Sequence, residues 1–360
     1  MEQEKNRRDK RRLRAAVVAL TACVLGILAA AFTYGGLGGQ KGTEGTGIWM
    51  EGSGGRAEAE ENLTVVGFSQ VGSESVWRTA NTESVHSVFT KENGYFLLFD
   101  NARQKQENQI KALRSFISQR VDYIILSPLT EDGWETVLQE AKEADIPVIL
   151  IDRKVNVKDN SLYATWIGSD FYWEGRAAGE AREQALRKKG ISEEETVRIV
   201  VLKGTEGSSA TIGRTKGFQE VVDAHENWII LETADGEFTT AKGQEEMERL
   251  LDRYSDIDVV IAQNDDMAFG ALAAIKRSGR TVGEDGNMLM ISFDATKSAL
   301  ELVSQGVIAA DIECNPDQGQ YADEAIRKLE RGEPVAKLYF VEEQIYKKEN
   351  AAAALEERTY

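Results

Sequence analysis

Between residues 63 and 312 short aliphatic runs alternate with amphipathic stretches of helical period, and few folds accommodate that alternation. Strands are expected at residues 63–68, 95–99, 123–126, 146–151 and 163–167, with helices at 76–91, 104–120, 134–144 and 171–189. In the first helix Val76, Ala80, Val85, Val88 and Phe89 fall on one face. A second series comes after it, with strands at 197–202, 228–231, 259–262, 288–293 and 308–312. Strands joined through helices pair in parallel, so this is an α/β chain. Two series of similar length imply two similar lobes with a cleft between them. Residues 316–331 and 335–345 come after the second series, which lets the chain cross between the lobes again.

The run Ile146-Pro147-Val148-Ile149-Leu150-Ile151 is aliphatic on both faces, as a strand covered by helices on both sides must be. It ends in Asp152-Arg153. Ligands of open α/β sheets collect beyond the carboxyl ends of strands, so these two residues are either a recognition pair or a strand-end ion pair of little value. Other polar residues share that position. Gly67-Phe68-Ser69-Gln70 leads to Glu74, Trp77 and Arg78; Lys203-Gly204-Thr205-Glu206-Gly207 leads to Arg214; and Ala262-Gln263-Asn264-Asp265-Asp266 and Ser292-Phe293-Asp294 close two later strands.

Residues 1–14 carry seven Lys/Arg against three acids and precede residues 15–34, which are uncharged and mostly apolar. Twenty helical residues span roughly 30 Å, the thickness of a bilayer core, and the basic flank places the rest of the chain on the outer side. Leu20-Thr21-Ala22-Cys23 also matches a lipobox, so the segment is either an uncleaved anchor, the reading preferred here, or a lipid-attachment signal. Either tethers the protein to the outer face of the cytoplasmic membrane. Residues 35–61 hold ten glycines and read as a flexible linker. The whole chain carries a formal charge of -17, and the part beyond the basic segment is more acidic still, which makes nucleic acid a poor partner.

From residue 63 to about 345 the chain resembles the periplasmic sugar-binding proteins of ABC importers, the ribose- and galactose-binding type. Val148-Ile149-Leu150-Ile151-Asp152-Arg153, Ala262-Gln263-Asn264-Asp265-Asp266-Met267-Ala268 and Phe293-Asp294 carry the likeness. Glu74-x-x-Trp77-Arg78, Ile167-Gly168-Ser169-Asp170 and Glu313-Cys314-Asn315-Pro316 look closest to the galactofuranose-binding subgroup. The resemblance implies a two-lobed type I periplasmic binding protein, each lobe a parallel sheet flanked by helices. The first lobe is expected to hold residues 63–168 and 315–333, and the second 169–314 and 334–360. It implies Phe238 as a ligand contact beside Glu74, Trp77, Arg78, Asp152, Arg153, Arg214, Asn264 and Asp294, and an ABC permease, or alternatively a sensor kinase or chemoreceptor, as partner. Cys314 stands where the family often has a glutamine.

The chemistry agrees with that reading. Carboxylates, amides and guanidiniums satisfy the paired hydroxyls of a sugar, and an aromatic such as Trp77 packs on its aliphatic face, although Trp77 could equally be a core residue of its helix. Glu74, Asp152 and Asp294 balance Arg78, Arg153 and Arg214, which suits a neutral monosaccharide. No cofactor is expected. His86 and His225 are isolated, no Cys/His spacing suggests a metal, and no Walker loop or nucleophile elbow is present. Glycoside hydrolysis by the paired acids would lack a general acid, because the arginines hold the acids ionised. A sugar-responsive repressor would need a DNA-binding motif where residues 1–62 have an apolar segment and a glycine linker.

Overall fold

The computed structural model describes residues 63–188, 190 and 194–360. The basic segment, the apolar segment with Cys23 and the glycine linker lie outside the described residues. Among the described residues no helix is long and apolar enough to cross a membrane.

The first sheet is built from β1 (Thr64–Gln70), β2 (Tyr95–Asn101), β3 (Tyr123–Leu126), β4 (Val148–Ile151) and β5 (Thr165–Gly168). Between them run α1 (Val76–Val88), α2 (Gln106–Gln119) and α3 (Glu135–Glu143). β3 and β4 are buried at every position, which is why their sequences show no alternation. After β5 the chain crosses into α4 (Phe171–Lys188), β6 (Val197–Lys203), α5 (Ser209–Asp223), β7 (Trp228–Asp235), α6 (Thr240–Arg253), β8 (Val259–Ala262), α7 (Asp265–Arg277), β9 (Leu289–Asp294), α8 (Lys297–Ser304) and β10 (Ala310–Glu313). It then returns to the first lobe as α9 (Gly319–Arg331) and β11 (Leu338–Phe340), and crosses once more to β12 (Ile345–Tyr346) and α10 (Lys348–Ala354).

The sheets have orders β11-β5-β4-β3-β1-β2 and β12-β10-β9-β8-β6-β7. Every named pairing is parallel except β10 with β12. Each lobe is therefore a doubly wound layer, and two apolar clusters fill each one.

One expectation is corrected. Residues 334–360 do not all belong to the second lobe, because β11 adds to the open edge of β5. Trp166 N donates to Lys337 O at 3.0 Å and Val341 N to Gly168 O at 3.0 Å, so the segment satisfies backbone groups that an edge strand would otherwise leave to solvent. The final crossing falls after Val341.

Candidate ligand-binding cleft

The cleft begins in the first turn of α1. Ser75 caps the helix by accepting from Arg78 N at 3.0 Å, and the i, i+4 pair Glu74–Arg78 closes with Nε to Oε1 at 2.9 Å. Arg78 Nη1 reaches Asp152 Oδ2 at 2.6 Å, Ser127 Oγ at 3.1 Å and Gln70 Oε1 at 3.3 Å. Asp152 itself is clamped by β5, its N–H donating to Ile167 O at 2.9 Å and its carbonyl accepting from Trp166 Nε1 at 2.9 Å. Burial works against the Arg78 charge, but Asp152 and Glu74 outweigh it and hold the guanidinium above its ordinary range.

The second lobe repeats the device. Arg214 on α5 donates from Nε to Glu174 Oε2 at 2.5 Å, from Nη1 to the Gln263 carbonyl, and from Nη2 to Asp294 Oδ1 at 3.4 Å. Close approach of α4 and α5 makes this possible. A Cβ on Gly175 would sit 2.2 Å from Arg214 O, so only glycine lets Glu174 reach its partner. Burial again opposes the Arg214 charge, and Glu174, Cys314 and Asp294 together raise it. Burial pushes the Glu174 and Asp294 carboxyls upward, with Arg214 pulling against it in both. Each lobe thus presents one guanidinium between two carboxylates, Glu74–Arg78–Asp152 and Glu174–Arg214–Asp294.

The remaining groups come from loops. Asn264 caps α7, accepting from Met267 N at 3.0 Å while its Nδ2 donates to Phe238 O at 3.2 Å. The Phe238 ring lies on Gly204, where a Cβ would come within 1.9 Å of it, and the Arg153 guanidinium stands 5.3 Å from the ring centroid across the cleft. Arg153 donates from Nη1 to Leu129 O at 2.9 Å; burial, then the neighbouring Arg78 charge, bring its pKa down to about 10. Asp152, Phe238 and Asp294 have φ of 61°, 60° and 103°, uncommon for residues with side chains.

All nine residues singled out from sequence line one cavity, together with Ser75, Phe171, Ala210 and Cys314. Trp77 does so from the first lobe while its ring packs among the apolar residues of the second and its Nε1 donates to Cys314 O at 2.5 Å. Glu174 and Ser127 were not anticipated. Glu174 had a visible signal: with Ala178 and Ala181 it makes an i, i+4, i+7 row on α4, an acid at a core position. Ser127 sits at the end of β3 among uninformative neighbours and had none. Asp152 and Arg153, adjacent in sequence and read as one pair, go to different partners, with Arg153 Nε 3.7 Å from Asp152 Oδ2.

The lobes meet around this cavity. Lys154 N donates to Ser209 Oγ at 3.1 Å, Val76 N to Asp266 Oδ2 at 3.2 Å and Glu131 N to Gly207 O at 2.9 Å. Glu74 Oε2 and Arg153 Nε are buried without a hydrogen-bond partner among the described residues. A carboxylate oxygen and a guanidinium N–H in that condition are poised to accept from and donate to a bound hydroxyl compound.

Comparison with known proteins is consistent with this geometry. The family model described as periplasmic binding protein domain matches residues 66–334. The galactofuranose-binding protein YtfQ of Escherichia coli (strain K12) is 39% identical over 297 residues, covering 81% of this chain and 91% of that protein. The periplasmic component of the arabinose ABC transporter from Shewanella sp. ANA-3, solved with α- and β-L-arabinofuranose, superposes with a TM-score of 0.76 at 42% identity, covering 82% of this chain and 95% of that one. A Mycobacterium smegmatis protein solved with β-D-fucofuranose gives 0.77 at 41%, covering 82% and 94%. With the matched region, the two doubly wound lobes and the cleft between them in agreement, the chain belongs to the periplasmic binding protein family.

Proposed function

We propose that this protein captures a neutral monosaccharide in its furanose form between the lobes and hands it to an ABC permease. One observation carries the reading: Arg78 with Glu74 and Asp152, and Arg214 with Asp294, line a single cavity from opposite lobes, with Glu74 Oε2 and Arg153 Nε still unsatisfied. Glu74, Arg78, Asp152, Arg153, Arg214, Asn264 and Asp294 supply the polar contacts, and Trp77 and Phe238 the aromatic ones. An anion would face carboxylates already committed to arginines, and its burial there would be costly. The furanose preference rests on the sugars named for the three relatives above. The protein is read as binding without chemical turnover, because the cavity acids Glu74, Asp152 and Asp294 each engage a guanidinium.

We further propose that residues 15–34 hold the protein at the outer face of the cytoplasmic membrane as an uncleaved span. Intact mass of membrane-extracted protein tests this: a mature chain beginning at an acylated Cys23 would replace the span with a lipid anchor. For the ligand, a calorimetric screen of neutral pentoses and hexoses, including methyl furanosides and pyranosides, is decisive. Binding of furanosides and not pyranosides is expected; binding of pyranosides alone would overturn the ring assignment.

A further inference from the structure

Three metal-ligating side chains converge where the chain passes between the lobes. Cys314 follows β10 at the second crossing, Glu343 follows β11 at the third, and Glu174 occupies the first turn of α4 just beyond the first. One ligand atom from each lies within 4.8 Å of the other two.

The surroundings of each group favour an ion over a simple acid cluster. Glu174 is fully buried; its Oε2 is committed to Arg214, whereas Oε1 has no hydrogen-bond partner, and the Cys314 thiol is close enough to act on this carboxyl. Glu343 Oε1 accepts from Asn315 N at 3.1 Å and from the Ser169 hydroxyl. The same hydroxyl oxygen lies 3.3 Å from Cys314 Sγ. Each carboxylate therefore has one oxygen held by an outer partner, and the sulfur is positioned by a hydroxyl, which is how ligands around protein-bound metals are oriented. Arg214 engages the opposite oxygen of Glu174 and so steers that carboxylate. Arg214 pairs with Glu174 and Asp294, and its charge also acts on Glu343. Calcium and magnesium take oxygen ligands, and the softest cations take several sulfurs, so one thiolate with two carboxylates suits a borderline ion with an open fourth position. Glu343 is only partly buried, which leaves a route in from solvent.

We propose that Glu174, Cys314 and Glu343 form a hinge site for a divalent cation of the zinc class. The ion would join all three crossings at one point and set the angle between the lobes. The site adjoins the sugar cavity through Cys314, which lines it, and through Glu174, which holds Arg214, but metal binding is read out without any sugar.

The test uses the full chain in detergent carrying Cys23→Ser, so that Cys314 is its one thiol. Metal-stripped protein is titrated with Cd2+, whose thiolate complexes absorb in the ultraviolet, and then with Zn2+ in competition. A thiolate band saturating at equimolar Cd2+, displaced by Zn2+, lost in Cys314→Ser and weakened roughly tenfold or more in Glu343→Gln and Ser169→Ala is expected. No band from folded protein at submillimolar Cd2+ overturns the proposal. So does a band that survives Cys314→Ser, or one whose affinity is unchanged in both Glu343→Gln and Glu174→Gln, which would mean a lone thiol. Circular dichroism confirms folding of each variant, and sugar binding by the metal-stripped chain is measured in parallel so that the two readings fail independently.

Discussion

Arg78 Nη1 lies 2.6 Å from Asp152 Oδ2, whereas the Nε of Arg153, the next residue in the chain, lies 3.7 Å from the same oxygen. Asp152 is thus the acceptor that fixes Arg78, and Arg153 remains available to the cavity. Asp152→Ala removes a ligand contact and leaves Arg78 buried beside Glu74 alone. Calorimetry should show a loss of about 2–5 kcal/mol in sugar binding. Asp159→Ala removes an exposed cap, where its carboxylate accepts from Ser161 N at 2.8 Å, and a surface ion pair with Lys142 at 3.1 Å, both away from the cavity, and should bind as wild type does.

Arg214→Met should destabilise the fold itself. It strands Glu174 and Asp294 in the interior, and breaking a buried pair in this way costs about 3–5 kcal/mol. Urea denaturation gives the figure, and adding Glu174→Gln should recover part of it. Arg214→Lys should not rescue binding, since an ammonium cannot reproduce the fork that reaches Glu174, Gln263 and Asp294 together.

Asp266 accepts from Val76 N across the cleft and belongs to no sugar contact proposed here. Asp266→Ala should raise the dissociation constant about tenfold, in line with one hydrogen bond to a charged group, by destabilising lobe closure. In small-angle scattering saturating sugar should shrink the radius of gyration of the wild type, with a higher sugar concentration needed in the variant. An unchanged radius in both would remove closure from the account.

Gly204→Ala places a methyl against the Phe238 ring and forces that ring toward the cavity. Sugar affinity should fall at least tenfold with only a modest change in melting temperature, as calorimetry and a thermal melt would show together.

A pH effect is expected behind the site. Asp265 and Asp311 are buried side by side; burial pushes Asp265 up to about 6 and Asp311 well above the usual carboxylate range. The folded protein therefore keeps a proton that the unfolded chain releases near 3.8. Where the native state binds more protons, stability falls as pH rises, so this pair's contribution is present below 3.8 and is lost through about 6 and above. Asp311→Asn, whose amide can donate to Asp265 at any pH, should flatten that fall by roughly 2–3 kcal/mol between acid and neutral urea melts.

The parallel strands were legible because β3, β4 and β8 are unbroken aliphatic runs set between helices of clear period. Eight of the nine cavity-lining residues were legible because strand ends and the starts of helices, the places where such folds gather ligands, are identifiable from those runs, whereas Phe238 was named only through the family resemblance. β11 was assigned to the wrong lobe for a physical reason. Leu338, Tyr339 and Phe340 are all exposed, so the segment has no buried face to produce a pattern, and its pairing with β5 depends on backbone bonds that side chains do not reveal. The pairing of Glu174 with Arg214, unlike the place of Glu174 on the core face of α4, was hidden in a different way, since Arg214 is brought to it by the close approach of α4 and α5 at Gly175 and not by spacing along the chain.

The repeated carboxylate–arginine–carboxylate arrangement has a consequence for how affinity can change. Each guanidinium is locked within its own lobe, Arg78 by Glu74 and Asp152 and Arg214 by Glu174 and Asp294. Neither half has to rearrange when a sugar arrives, and the remaining variable is the fraction of molecules whose halves already face each other. Apparent affinity is the intrinsic affinity scaled by that fraction. Substitutions in the crossing segments at positions that do not line the cavity, such as Ser169 and Glu343, therefore raise or lower sugar affinity with selectivity left intact, which makes the hinge the natural place to retune this protein to scarce or abundant sugar.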